Sequence, residues 1–325
     1  MKKLFATFVA AAIAAGSMCA CSKAPEKNGN LKIVTTIFPQ YDWVMNVLGD
    51  NPAKADVTLL QDSGADLHSF QPTASDIMKI SECDLFIYVG GESDEWVDDV
   101  LKEATNKKMV AINLMDALGD TVKEEEIVEG MQEEEHEHEH HHEESEIEYD
   151  EHIWLSVKNA SVLVNTISGA LQKIDSANAN TYKANADSYI AKLNELDKQY
   201  QDVVYNASVK TVLFGDRFPF RYLVDDYGLT YYTAFVGCSA ESEASFETIT
   251  FLAKKTDELS LHAVLTIEGK NHKIAETIID NTASKDQKIL TMDSMQSVTS
   301  ADIANGANYI SIMEGNLSVL KEALG

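Results

Sequence analysis

Cysteine is scarce in this chain of 325 residues: four are present, and no two stand in a Cys-x-x-Cys spacing. A disulfide-stapled scaffold and a zinc finger are thereby excluded. Basic residues are also few, 26 Lys and Arg against 53 Asp and Glu, for a formal charge of −27 with His counted neutral. That balance speaks against binding nucleic acid, or an anionic membrane surface, through charge. Only 5 Pro and 16 Gly accompany 45% hydrophobic residues, a globular composition and not a fibrous or disordered one. The length suits two domains of ordinary size. Neither His-Glu-x-x-His nor Gly-x-Ser-x-Gly occurs, so two common hydrolase signatures are missing.

The acid is unevenly spread. Residues 124–151 hold 14 Glu and one Asp with no Lys or Arg, so this stretch alone carries −15 of the −27. It also holds five of the nine His: His136, His138, His140, His141 and His142. Blocks of like charge stay solvated, and 122–148 is read as a disordered loop. Carboxylate and imidazole concentrated together attract metal ions. The loop is therefore read as an auxiliary metal-collecting tract in preference to a plain acidic linker.

At the start, Lys2-Lys3 precedes an apolar run from Leu4 to Ala15 and then small residues. This order describes a secretory signal peptide over 1–20. The run is rich in Ala and too weakly hydrophobic for a spanning helix. Met18-Cys19-Ala20-Cys21 looks like a bacterial lipobox, which makes Cys21 the lipidation site and 21–30 a flexible tether. The chain would then sit on the outer face of the cytoplasmic membrane. Cys83 and Cys238, each beside an apolar run, are read as buried free thiols, with a disulfide as the alternative.

From Leu31 short apolar runs alternate with amphipathic stretches. Strands are predicted at 31–36, 55–60, 84–89 and 109–113, with helices after Pro39, from Thr73 to Ser81 and from Trp96 to Ala104. A β-α-β-α order predicts a parallel sheet covered by helices. Tyr182 to Tyr205 contains no Pro or Gly and reads as a long helix able to bridge two lobes. Strands return at 211–214, 229–232, 263–267 and 288–291. The fold expected is α/β: two lobes with mainly parallel sheets, 31–180 and 207–325, joined by a rigid helix over 181–206.

Outside the acidic loop four His remain: His68, His152, His262 and His272. His68 lies in Gly64-Ala65-Asp66-Leu67-His68-Ser69-Phe70-Gln71-Pro72, just past a predicted strand, where ligands bind in parallel sheets. His152 lies where the acidic loop rejoins ordered chain, in Asp150-Glu151-His152-Ile153-Trp154-Leu155-Ser156. His262 reads as a capping or surface residue, and His272, between Lys270 and Lys273, as solvent-exposed.

These two segments resemble the two His motifs of the zinc/manganese ABC-transporter solute-binding proteins, the cluster A-I metal-binding lipoproteins. The His/Glu loop between them is similar to that of the zinc-specific members. The resemblance extends over Ser75-Asp76-Ile77, Asp84 to Tyr88, the long helix, Tyr222, Asp226 to Leu229 and Thr291 to Ser294. It implies a metal held in the cleft between lobes by two side chains from each. His68 and His152 match the N-lobe ligands and Asp293 the C-lobe carboxylate.

At the remaining position, His or Glu in the family, this chain carries Arg217, which stays protonated and cannot ligate a cation. Three readings stay open. Asp216 supplies the oxygen, the site holds three protein ligands plus water, or Arg217 pairs with a carboxylate in the cleft. Glu241, Glu243 and Glu268 read as surface acids, and Asp150 and Glu151 as carboxylates that support His152.

Imidazole and carboxylate suit Zn(II), with Mn(II) also possible. The resemblance implies a non-enzymatic, monomeric, extracytoplasmic component of an ABC importer that captures Zn(II) for a membrane permease. A manganese-specific protein of the same family, or an extracellular metal buffer or adhesin without a transporter, is the alternative.

Overall fold

Runs such as Leu85-Phe86-Ile87, buried on both faces, have the near-continuous apolar character of a strand inside a parallel sheet. The computed structural model describes residues 30–64, 66–132, 148–239, 243–269 and 271–325. The signal peptide expected over 1–20, Cys21, the five loop histidines and Glu241 lie outside the described residues.

The first lobe runs β1 (Lys32–Thr35), α1 (Phe38–Leu48), β2 (Asp56–Leu59), α2 (Ala74–Glu82), β3 (Leu85–Tyr88), α3 (Trp96–Glu103), β4 (Val110–Asn113), α4 (Leu114–Leu118) and α5 (Val157–Ile174). Next comes the long helix α6 (Ala179–Asn206). The second lobe runs β5 (Thr211–Phe218), α7 (Arg221–Tyr227), β6 (Thr230–Val236), α8 (Phe246–Glu258), β7 (Ala263–Ile267), α9 (Lys273–Asp280), β8 (Lys288–Met292), α10 (Ser300–Ala304) and α11 (Tyr309–Leu324).

All pairings within both sheets are parallel, and the strand orders are β2-β1-β3-β4 and β6-β5-β7-β8. The two orders have the same pattern, so each sheet reverses its winding beside its first strand. Ligands of such sheets bind outside the carboxyl ends of the strands at that reversal.

Helix α6 buries Tyr182, Ala186, Tyr189, Leu193, Leu196, Tyr200 and Val204, a stripe at spacings of three and four that defines one helical face. That face packs on α1 and α5 of the first lobe and on α11 of the second, so one helix braces both. Each such side chain contributes about 1.5–3 kcal/mol on full burial. Trimming Leu193, fully buried at the middle of the stripe, to Ala would cost about 2–5 kcal/mol.

Helix α2 starts where Thr73 and Asp76 cap each other: Thr73 Oγ1 accepts the Asp76 N–H at 3.3 Å and Asp76 Oδ2 accepts the Thr73 N–H at 3.1 Å. The two lobes also meet directly. Trp154 Nε1–H donates to the Ser294 carbonyl at 2.9 Å, and the Tyr309 hydroxyl donates to the Trp154 carbonyl at 2.7 Å. Among the described residues no helix is long and apolar enough to cross a membrane.

The legs of the acidic loop are more ordered than their charge suggested. Residues 123–125 pair antiparallel with 148–150, the Glu125 N–H donating to the Glu148 carbonyl at 3.0 Å and the Asp150 N–H to the Lys123 carbonyl at 2.9 Å. The outgoing leg reaches the second lobe, where the Gln132 N–H donates to the Ala234 carbonyl at 3.0 Å. Backbone pairing at both ends, invisible in composition, carries structure inside the stretch read as a disordered loop.

Candidate metal centre

His68 sits in a 3-10 turn, Leu67–Ser69, after β2. Asp66 caps that turn, its Oδ1 accepting the His68 N–H at 3.0 Å. His152 immediately precedes a second 3-10 turn, Ile153–Leu155, and is fully buried. The apolar Ile153, Trp154 and Leu155 are driven into the core, and this fixes the imidazole beside them.

The two Nε2 atoms face each other at 3.3 Å. Each ring has a partner for its other nitrogen. Asp150 Oδ1 lies 3.0 Å from His152 Nδ1 and also accepts the His152 backbone N–H at 2.8 Å. Ser93 Oγ lies 2.8 Å from His68 Nδ1, with Glu151 Oε2 at 3.5 Å. A proton held on each Nδ1 by these partners leaves both Nε2 lone pairs converging on one point, as metal-binding imidazoles require. Burial first, and then the neighbouring His152, push His68 down to about 4, so the ring stays neutral and able to ligate at physiological pH. Burial pushes Glu151 up to about 7 despite the Ser93 N–H that it accepts at 2.8 Å. Gly91, at φ 78°, makes room for this carboxylate, since a Cβ there would stand 2.3 Å from Glu151 Oε1.

The third member of the cluster is Cys238, in the loop leaving β6. Donor atoms of His68, His152 and Cys238 all lie within 4.8 Å of one another, and no other such group of three occurs among the described residues. Cys238 carries no disulfide and is half-buried; Cys83 is also free but lies deep in the first lobe, its Sγ 3.4 Å from Met109 Sδ. Burial, then the nearby Glu125, Asp150 and Glu151, push the Cys238 thiol well above its ordinary range. Reading Cys238 as a buried thiol missed its position, and only its place just past a strand hinted at it.

Asp216 and Asp293 do not join this group. Asp216 Oδ1 accepts the Arg217 N–H at 2.9 Å and its Oδ2 accepts the Ile267 N–H at 3.3 Å, so backbone donors occupy both oxygens. Asp293 Oδ1 accepts the Met295 N–H at 2.7 Å, and burial, with Glu268 beside it, pushes its carboxyl up to about 6. Arg217 follows the last of its three readings: its Nη2 forms an ion pair with Asp66. Glu268 is no free surface acid, for its two oxygens accept the Ser294 N–H and hydroxyl, each at 2.7 Å. Glu243 and His262 are exposed, as their contexts suggested. His272 differs from its expected exposure: it is half-buried before α9, near Asp216.

A cavity of about 480 Å³ opens beside the cluster, lined by His68, Cys238, Glu92, Glu95, Glu125, Glu148 and Glu151. Glutamates on its wall favour cations over anions. Glu148, on the returning leg of the acidic loop, is part of that wall.

A family model for the zinc-uptake complex component A, periplasmic, matches residues 33–323. The chain is 33% identical over 324 residues to the zinc-binding lipoprotein AdcA of Streptococcus pneumoniae, covering 99% of this chain and 61% of that one. It therefore spans 61% of that relative's length, less than two thirds. Against the high-affinity zinc uptake system protein ZnuA of Bacillus subtilis it is 31% identical over 328 residues, covering 99% and 98% of the two chains. The Zn(II)-bound ZnuA-like domain of Streptococcus pneumoniae AdcA superposes with a TM-score of 0.71 at 29% identity, covering 91% of this chain and 99% of that one. With two parallel α/β lobes, a bracing helix and a pair of facing imidazoles, this chain belongs to the family described as zinc-uptake complex component A, periplasmic.

Proposed function

We propose that this chain is the solute-binding component of an ABC importer, capturing Zn(II) outside the cytoplasm and handing it to a membrane permease. The observation that carries this reading is the pair of Nε2 atoms 3.3 Å apart, each ring held by a partner on its opposite nitrogen. His68 and His152 are the donors, and the relatives named for zinc binding and zinc uptake support the cargo. Neutral imidazoles favour Zn(II) over Mn(II), which prefers oxygen. Fixed by their partners, with His152 buried and His68 half-buried, they provide a preorganised pair that costs little ordering on binding.

The remaining assignments belong to the same reading. Cys21 carries the lipid anchor, and the histidines from His136 to His142 collect Zn(II) at modest affinity and raise its concentration beside the glutamate-lined cavity. The protein acts as a monomer and performs no catalysis.

Deletion of the gene tests the proposal through uptake of radioactive zinc from zinc-poor medium. Loss of uptake, restored by the unaltered chain but not by His68→Ala/His152→Ala, is the expected result. Undiminished uptake would point to an extracellular buffer or adhesin instead.

A further inference from the structure

The second lobe's contribution to the metal centre is open, because Arg217 holds the place where the family resemblance expects a ligand and is paired with Asp66. We propose that Cys238 fills this role, so that the cation is held by two imidazoles from the first lobe and one sulfur from the second. This rests on the reading of His68 and His152 as donors and adds the chemical identity of a third.

Distance carries the first part of the argument. In tetrahedral zinc sites with Zn–N of about 2.0–2.1 Å and Zn–S of about 2.3 Å, neighbouring donors stand roughly 3.3–3.6 Å apart. The two Nε2 atoms already have that separation, at 3.3 Å, and Cys238 Sγ lies within 4.8 Å of a ring nitrogen of each imidazole. A side-chain rotation or slight lobe closure covers the difference.

Topology carries the second. His68 follows β2 and Cys238 follows β6, the strands at equivalent places in two sheets of the same order. The register pairs Arg217 with Phe235 and Phe218 with Val236, so Gly237 and Cys238 continue past the end of β5. A donor can therefore move from β5 to the loop after β6 and still face the same cleft, leaving Arg217 free to pair with Asp66.

Clearance carries the third. A Cβ on Gly237 would stand 3.0 Å from His152 Cε1 and 2.9 Å from the Phe218 carbonyl oxygen. Only glycine lets this loop lie against the imidazole, and that approach delivers the next residue, Cys238, to the cluster.

A sulfur donor shifts selectivity towards Zn(II) and Cd(II) and away from Mn(II), because softer cations gain most from thiolate. Cobalt(II) tests the assignment on the full chain, since a thiolate bound to Co(II) gives an intense near-ultraviolet charge-transfer band that imidazole and carboxylate do not. The unaltered protein should show the band at one equivalent. Cys238→Ser should lose it and bind Zn(II) roughly 100-fold more weakly. Cys83→Ser should keep it, and Cys238→His should regain most of the zinc affinity without it. A band persisting in Cys238→Ser, or zinc affinity unchanged there, overturns the proposal. Stoichiometric cobalt that depends on His68 but gives no band overturns the sulfur assignment and leaves the imidazole reading standing. Cobalt binding indifferent to both histidines overturns both.

Discussion

Arg217, near the carboxyl end of β5, and Asp66, which caps the turn carrying His68, form an ion pair between the two lobes. Each side chain is only 23% exposed. Burial alone would raise the Asp66 carboxyl, but the guanidinium and the His68 N–H prevail and hold it below the usual carboxylate range. The pair thus links the second lobe to the backbone that positions His68.

A double-mutant cycle over Arg217→Ala and Asp66→Ala should give a coupling energy of about 1–2 kcal/mol in urea unfolding, above the range of exposed pairs. High salt should weaken it only slightly. Additive single effects would show that the contact contributes nothing.

Asp150 holds the Nδ1 side of His152 and so sets which nitrogen is free. Asp150→Asn should weaken Zn(II) binding by about 10–100-fold, read by competition with a chromophoric chelator, while the fold persists. Unchanged affinity would mean that the second lone pair is fixed by packing alone.

Removal of residues 133–147, with a short Gly-Ser link, should leave one tight zinc site within about threefold of its affinity and abolish weaker ones. Removing 122–148 entirely should also lower stability, because the Lys123 N–H donates to the Tyr222 hydroxyl at 3.1 Å and Glu126 pairs with Arg221 at 3.1 Å. Titration calorimetry and urea melts separate the two deletions. Identical behaviour would contradict the ordered legs.

Asp42, buried on α1, accepts the Tyr189 hydroxyl at 2.9 Å, and burial pushes its carboxyl up to about 6. Its folded value lies above the unfolded one, so the native state binds the proton more tightly. The ionised carboxylate therefore lowers stability above pH 6, and this penalty is relieved as pH falls through 6 towards 4. Relative to the unaltered chain, Asp42→Asn should gain about 2–3 kcal/mol at pH 7.5 compared with pH 4. A difference independent of pH would contradict the assignment.

Much of the scaffold was legible because one residue pattern had one solution. The stripe from Tyr182 to Val204 has the spacing of a helix face, and runs such as Leu85-Phe86-Ile87, short and closed by Gly90-Gly91, have the length and flanks of strands buried on both sides. The expectation that His68 and His152 meet came from their segments, and their Nε2 atoms stand 3.3 Å apart. The place of Cys238 was not legible, because a single cysteine beside an apolar strand has the same local pattern whether it faces a core or a cleft, and only the β5–β6 register decides. The legs of the acidic loop were hidden for a related reason: their order comes from backbone bonds between the two legs and to the second lobe, which charge composition does not record.

The central claim is that one zinc ion is held between His68 and His152. Anomalous diffraction at the zinc edge, on crystals of the full chain grown with one equivalent of Zn(II), tests it most directly. The account predicts a single strong peak about 2.0–2.1 Å from both Nε2 atoms. A peak on Asp216 and Asp293, with neither imidazole within bonding distance, would contradict it.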